Sequence, residues 1–79
     1  MMIYCKLKNI KGNTAVYYFG NKLDDITGEA EFYSSFTQPT ILKQPTTGSV
    51  PEFLLSKIII KYKEKLLNSN FPDKMSFER

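Results

Sequence analysis

The sequence predicts an α+β fold, in which a three- or four-stranded antiparallel β-meander carries one C-terminal α-helix packed on one face. Residues 2–8 and 29–37 alternate between apolar and polar side chains, which is the period of half-buried strands, and residues 14–19 are β-branched and aromatic. Residues 50–67 instead repeat their apolar side chains every three or four positions, which is the period of a helix. The chain has 79 residues, enough for one domain over 1–79, with the sheet at 2–43, the helix at about 50–67 and a packed tail at 69–79.

The first two strands are predicted at residues 2–8 and 14–19, with a turn at residues 9–13 between them. The length of the loop decides which side chains share a face, because a slip of one residue turns a strand over. We expect a loop of three or five residues, since that register collects the apolar side chains on one core face. The expected opposing pairs are Leu7 with Ala15, Cys5 with Tyr17 and Ile3 with Phe19.

A third strand is predicted at residues 29–37. Its inward-facing side chains are Ala30, Phe32 and Phe36. Pro39 and Pro45 enclose residues 40–44, which suit a short edge strand because proline is tolerated at the edge of a sheet. Whether residues 40–44 pair with the sheet decides between three strands and four.

The helix is predicted to run from about Val50 to Leu67. Ser49 and Glu52 have the spacing of a capping box, in which each side chain binds the other residue's backbone amide. Pro51 suits the first turn, where its missing amide hydrogen costs no hydrogen bond. The sequence therefore predicts that Ser49 caps the helix.

This helix carries two apolar stripes, and a small sheet can cover only one of them. The stripe expected to face the sheet consists of Leu54, Leu55, Ile58, Ile59, Tyr62 and Leu66. Phe53, Ile60 and Leu67 recur at intervals of seven residues on the far side of the helix. Either an apolar side chain of residues 71–77 folds back over this second stripe, or the stripe meets a partner, most simply a second copy of the chain. The sequence leaves both alternatives open.

The other face of the sheet would display tyrosines beside lysines, a combination with which some proteins stack single-stranded nucleic acid. The residues of this possible binding face are Tyr4, Lys6, Tyr18 and Tyr33. The net charge of only +3 is weak support for a nucleic-acid partner, and Glu31 on the same face would repel phosphate. Tyrosine pairs also stabilise sheets without binding any ligand, so nucleic acid is the less favoured alternative.

The composition argues against most catalytic and metal chemistry. The sequence has no histidine, which removes the most common general base and metal ligand at neutral pH. Its single cysteine, Cys5, cannot form an intramolecular disulfide, and its inward position indicates a buried core thiol. We interpret the acidic cluster of Asp24, Asp25 and Glu29 as a solvated turn, because its spacing does not match a calcium-binding loop. We therefore expect no enzyme activity, no catalytic or metal-binding residue and no cofactor.

The sequence favours a non-enzymatic protein–protein interaction or regulatory module that self-associates through Phe53, Ile60 and Leu67. The alternative is a small basic protein that binds single-stranded nucleic acid with the tyrosines and lysines of its sheet. No apolar run approaches the roughly 20 residues of a membrane span, so no membrane partner is expected. One cysteine and no visible signal peptide predict a cytoplasmic location.

Overall fold

A computed structural model describes residues 2–35, 37–46 and 48–78, in which a five-stranded antiparallel sheet packs against two short helices. The elements in chain order are β1 (Met2–Lys11), β2 (Thr14–Gly20), β3 (Gly28–Tyr33), β4 (Thr40–Lys43), α1 (Glu52–Lys61), α2 (Lys63–Leu67) and β5 (Lys74–Glu78). The strands lie in the order β4-β3-β2-β1-β5, so the first four form a meander and β5 returns to pair with β1.

The α+β class and the antiparallel sheet are confirmed, whereas the predicted numbers of strands and helices are wrong. Over the described ranges the sheet has five strands and the helical segment is divided in two. Residues 40–43 do form an edge strand, β4, which pairs with β3. Phe36, predicted to face inward, lies outside the described residues. Neither helix in the described part of the chain is long and apolar enough to cross a membrane.

The tail contributes the fifth strand. Residues Lys74–Glu78 alternate between polar and apolar side chains and pair with β1, with Met75 opposite Cys5 and Phe77 opposite Ile3. Met75 is buried and Phe77 is half-buried, since both face the core. This pairing covers the outer edge of β1, a strand of ten residues whose unpaired amides would otherwise invite aggregation.

The β1–β2 hairpin forms the predicted core face in a different register. Its turn has two residues, 12–13, which by itself would turn the apolar side chains of the two strands to opposite faces. A bulge after Leu7 inserts one extra residue into β1 and brings the apolar side chains back to one face. Cys5 therefore lies opposite Phe19, not Tyr17, and the predicted pairs are wrong by two residues.

The core lies between the inner face of the sheet and the helices. The sheet contributes the buried side chains of Ile3, Cys5, Ala15, Tyr17, Phe19, Ala30, Phe32 and Met75. Tyr17 meets the ring of Phe32 edge to face, with ring centroids 5.2 Å apart. Its hydroxyl donates a hydrogen bond of 2.5 Å to the carbonyl oxygen of Pro72, which ties the α2–β5 connection to the centre of the sheet.

The helix begins later than predicted, and the expected capping box is absent from the described residues. Glu52 is the first helical residue, and no side-chain hydrogen bond caps the preceding Pro51. The Gln44 side chain holds the approach to the helix instead. Its Oε1 accepts from the Val50 amide at 2.9 Å and its Nε2 donates to the Val50 carbonyl at 3.3 Å. Because Val50 is buried, these two bonds satisfy backbone groups that water cannot reach.

Tyr62 divides the helical segment, with a backbone φ of −108° and ψ of 22°. Its hydroxyl accepts a hydrogen bond of 3.2 Å from the Ser76 amide, and Lys61 Nζ donates to the Ser76 carbonyl at 2.8 Å. Ser76 lies on β5, which is an edge strand, so these bonds occupy backbone groups that the sheet leaves unpaired. The two residues at the break in the helix, Lys61 and Tyr62, therefore hydrogen-bond to the free edge of β5.

Candidate functional site

The far side of the helices carries Phe53, Ile60 and Leu67, which together are called the helix face below. Their exposed fractions are 49%, 57% and 45%. The buried residues of the opposite stripe are Leu54, Leu55, Ile58, Ile59 and Leu66. The tail does not bury the helix face, because Met75 and Phe77 lie in β5. The sheet thus covers one apolar stripe and leaves the side chains of the other stripe about half exposed.

Ile60 stands between two depressions in the surface. One is a cavity of about 450 Å³ lined by residues 60–65, where the helical segment breaks. The other is a cavity of about 220 Å³ between α1 and residues 37–38. A branched apolar side chain with a depression on either side is the kind of shape that an opposing apolar surface can fill.

Charged side chains border the helix face. Lys57 lies on α1 and Glu64 on α2; with the period of 100° per residue carried across Tyr62, the two fall on the same flank of the face, about 50° from its centre. Lys63 falls on the opposite flank. Lys57 and Glu64 are both exposed, so this flank offers one positive and one negative charge, seven residues apart.

The opposite side of the sheet, turned away from the helices, is called the outer sheet face below. One residue from each strand forms a row across it: Lys74, Lys6, Tyr18, Glu29 and Lys43. Of the predicted binding residues, Lys6 lies directly opposite Tyr18, and Tyr4 lies two positions before Lys6 on β1. Tyr33 is four residues beyond Glu29 on β3, which places it roughly 13 Å from the row. The structure therefore brings three of the four predicted residues together.

Glu29 neutralises part of the positive charge on this face. Its carboxylate accepts a hydrogen bond of 2.9 Å from Lys8 and lies 3.9 Å from the ammonium of Lys43. The hydrogen bond from Lys8, followed by the charges of Lys8 and Lys43, lowers the pKa of Glu29, and the same hydrogen bond raises the pKa of Lys8. The Lys8 ammonium also lies 5.5 Å from the centre of the Tyr18 ring. The ring of Tyr18 thus already has a cation–π contact with Lys8 of its own chain.

Tyr33 has a local role in the sheet. Its hydroxyl lies 2.6 Å from the Thr40 hydroxyl and donates to the Glu31 carboxylate at 3.2 Å. The contact with Thr40 links β3 to the edge strand β4 and is the kind of cross-strand bond that stabilises a sheet, whereas Glu31 lies on β3 itself.

Sequence reasoning missed three charged residues of the outer sheet face: Glu29 as an ion-pair partner, Lys43 and Lys74. The alternation of residues 74–78 is a signal that could have revealed β5 and with it Lys74. No local pattern announces the bulge after Leu7, which decides that Lys8 reaches Glu29.

The groups with potential chemistry outside these two faces have structural partners or are buried. Cys5 is buried, and burial raises the pKa of its thiol to about 12, so the reactive thiolate is scarce at neutral pH. Asp25 is also buried, which corrects the prediction of a fully solvated acidic turn. Its carboxylate accepts hydrogen bonds from Thr27 at 2.6 Å and Thr46 at 2.8 Å. No cluster of three or more potential metal ligands occurs within the ranges that the structure describes.

The two faces are therefore the candidate functional surfaces of the chain. The helix face is apolar with charged flanks, and the outer sheet face is polar with a partly neutralised positive charge. Comparison with protein-family models, with curated proteins and with solved structures finds no match for this chain.

Proposed function

We propose that this chain is a non-enzymatic interaction module that forms a homodimer through its helix face. The observation that carries the proposal is the exposure of Phe53, Ile60 and Leu67, at 45–57%, on the side of the helices that the sheet leaves uncovered. Aligned exposed apolar residues commonly mark protein contacts, whereas single ones need no explanation. The chain has a small core, and burial of this face against a second chain would add to the apolar surface removed from water.

The spacing of the helix face favours a second copy of the chain as its partner. Phe53 and Leu67 lie seven residues on either side of Ile60. When two copies pair antiparallel with a two-fold axis at Ile60, each Phe53 lies opposite the partner's Leu67, and the two copies of Ile60 meet. A two-fold interface must be complementary to itself, and this symmetric spacing satisfies that requirement.

The charges on the flank support the same arrangement. In an antiparallel pair of helices, equivalent flanks of the two copies face each other. With the axis at Ile60, Lys57 comes within one residue of the partner's Glu64, and the symmetry repeats this contact. Two ion pairs would then border the apolar contact and disfavour other registers, since specificity depends on such pairing.

Sedimentation equilibrium of the wild type and of Ile60→Glu tests the proposal. We expect the wild type to be dimeric at high micromolar concentration. We expect Ile60→Glu to be monomeric with an unchanged circular dichroism spectrum, because Ile60 is 57% exposed and the new carboxylate would be buried only in the dimer.

Ile10→Glu is the matched control, since Ile10 is 52% exposed and lies near the end of β1, outside the helix face. Like Ile60→Glu, it replaces an exposed isoleucine by a glutamate, but it should leave the dimer intact. A wild type that stays monomeric at high micromolar concentration would contradict the proposal, as would equal loss of the dimer in both variants.

The proposal includes a cytoplasmic location. A chain with one cysteine gains nothing from an oxidising compartment, and the buried Cys5 thiol is suited to a reducing one.

A further inference from the structure

The outer sheet face contains a cavity of about 330 Å³ between β1, β5 and the β2–β3 loop. Its lining residues are Tyr4, Cys5, Lys6, Leu23, Ile26, Lys74, Met75 and Ser76. This volume lies at the lower end of the range for small-molecule sites. The cavity is on the side of the sheet opposite the helix face, so it is independent of the proposed dimer.

Leu23 and Ile26 form the apolar wall of the cavity, and contacts within the β2–β3 loop, residues 21–27, fix the backbone that carries them. Leu23 is 73% exposed and lines this cavity together with Ile26, so the wall offers apolar surface that a ligand could cover. The Asp25 amide donates to the Lys22 carbonyl at 3.0 Å and closes a tight turn that projects Leu23. The turn packs closely against Gly20. A Cβ atom at this position would lie 2.0 Å from the Asp25 carbonyl oxygen, so a larger residue would clash with the turn. A preorganised wall loses little conformational entropy when a ligand binds.

The polar end of the cavity carries two lysines that form no ion pair with any acidic side chain of the described residues. Lys6 and Lys74 lie directly opposite each other on β1 and β5, which places their Cβ atoms about 5 Å apart. Within the described residues, the ion pairs of this face join Lys8 and Lys43 to Glu29, and neither Lys6 nor Lys74 takes part in them. Like charges directly opposite one another destabilise a sheet. An anion between them would relieve this repulsion.

We propose that this cavity binds a small organic anion with an apolar body, such as a medium-chain carboxylate. The carboxylate lies between Lys6 and Lys74, each of which donates a charge-assisted hydrogen bond. The apolar body extends along Tyr4 towards Leu23 and Ile26, and its burial covers the exposed leucine. The positive end and the apolar wall together select an amphipathic anion over a neutral or cationic molecule of the same shape.

Titration of the ¹⁵N-labelled chain with octanoate at constant ionic strength tests this site. We expect saturable shifts of the backbone amides of Cys5, Lys6, Leu23, Ile26 and Met75. The double variant Lys6→Gln/Lys74→Gln should weaken octanoate binding about tenfold while 1-octanol binding stays the same. Octylammonium should bind at least about tenfold more weakly than octanoate. Leu23→Ser should weaken octanoate and 1-octanol alike.

The charge-matched control is Lys11→Gln/Lys65→Gln, which removes the same charge from two exposed lysines outside the cavity and outside the helix face, and which should leave octanoate binding unchanged. Equal octanoate affinity of the wild type and the Lys6→Gln/Lys74→Gln variant would overturn the proposal. So would equal affinity for octanoate and octylammonium, or the absence of saturable shifts. Shifts confined to the helix face would show only adventitious apolar binding. If a short oligothymidylate shifts these amides and octanoate does not, the surface binds nucleic acid and the small-anion proposal fails.

Discussion

Ser69 ends the helical segment in a backbone conformation that few residues other than glycine adopt readily. Its φ is 56°, in the left-handed region. The Ser69 amide donates to the Leu66 carbonyl at 3.1 Å, and the Asn70 amide donates to the Lys65 carbonyl at 2.8 Å. These two bonds form a Schellman motif, in which glycine usually occupies the position of Ser69. The hydrogen bonds of the motif offset the steric cost of the serine side chain.

Replacement of Ser69 by glycine should stabilise the chain by about 0.5–1 kcal/mol. The left-handed conformation costs a side-chain residue about 1–2 kcal/mol, and the greater freedom of glycine in the unfolded chain offsets part of this gain. Urea denaturation measures the difference. Asn68→Gly is the control and should destabilise, because Asn68 has a φ of −93°. Equal stability of Ser69→Gly and the wild type would show that Ser69 is not held in the left-handed region.

Single residues also set the limit of what the sequence could predict. The inward positions of Cys5 and Phe32 follow from alternation alone, because a half-buried strand has a period of two. The burial of Asp25 does not, since it depends on the Thr46 hydroxyl from another loop. In the same way, Tyr62 interrupts a segment whose pattern is helical throughout, and its hydroxyl contacts Ser76, which lies 14 residues later.

At the scale of elements, the strands formed from neighbouring segments were more predictable than the strand that pairs across the chain. β1, β2 and β3 are joined by short connections, so their local pattern indicates a meander. β5 pairs with β1 across most of the chain length, and only its alternation was available as a signal. The bulge after Leu7 could not be predicted from the hydrophobic pattern. A three-residue turn without a bulge and a two-residue turn with one extra residue in β1 both place the same apolar side chains on the core face.

The ion pair between β1 and β3 gives the sheet a defined pH dependence. The lowered pKa of Glu29 means that its contribution to stability is present above the ordinary value of 4.5 and is lost as the pH falls through the lowered value. The raised pKa of Lys8 means that its contribution is present below 10.5 and is lost as the pH rises through the raised value. The pair therefore stabilises the fold most between these two limits.

Glu29→Gln should be less stable than the wild type at pH 7 in low salt, and this difference should shrink towards pH 3 and in high salt. The reason is that the pair is exposed, so salt screens it, and acid removes the charge of Glu29. Urea denaturation midpoints at a series of pH values measure the difference. Glu78→Gln, on the edge strand β5, is the control for loss of one carboxylate. A difference that does not change with pH would show that Lys8 and Glu29 do not interact in solution.

At the scale of the whole molecule, one sheet separates two surfaces of different character. The helices cover the inner face and present Phe53, Ile60 and Leu67 outward, while the outer sheet face carries the lysines and tyrosines. The period of each element predicted which residues share a face, but the sequence left open whether the tail covers Phe53, Ile60 and Leu67. It did not predict the cavity between β1, β5 and the β2–β3 loop, because that cavity depends on β5 and on the packing of the loop against Gly20.

In the proposed dimer, two copies of the helix face pair antiparallel about Ile60. Disulfide trapping tests the geometry, because Cys5 is buried with a raised pKa and should not compete with an introduced thiol. A thiol at residue 60 would meet its own copy at the two-fold axis. In each copy, residue 53 lies seven residues from the two-fold axis at residue 60, on opposite sides of it. A thiol at residue 53 would therefore lie about 21 Å from its copy, measured along the helices.

Ile60→Cys and Phe53→Cys, oxidised under the same mild conditions with Ile10→Cys as the control, therefore give the most direct measurement. We expect Ile60→Cys to form disulfide-linked dimers rapidly, whereas Phe53→Cys and Ile10→Cys form them slowly. Equal rates for all three variants, or faster linkage of Phe53→Cys than of Ile60→Cys, would contradict the proposed dimer.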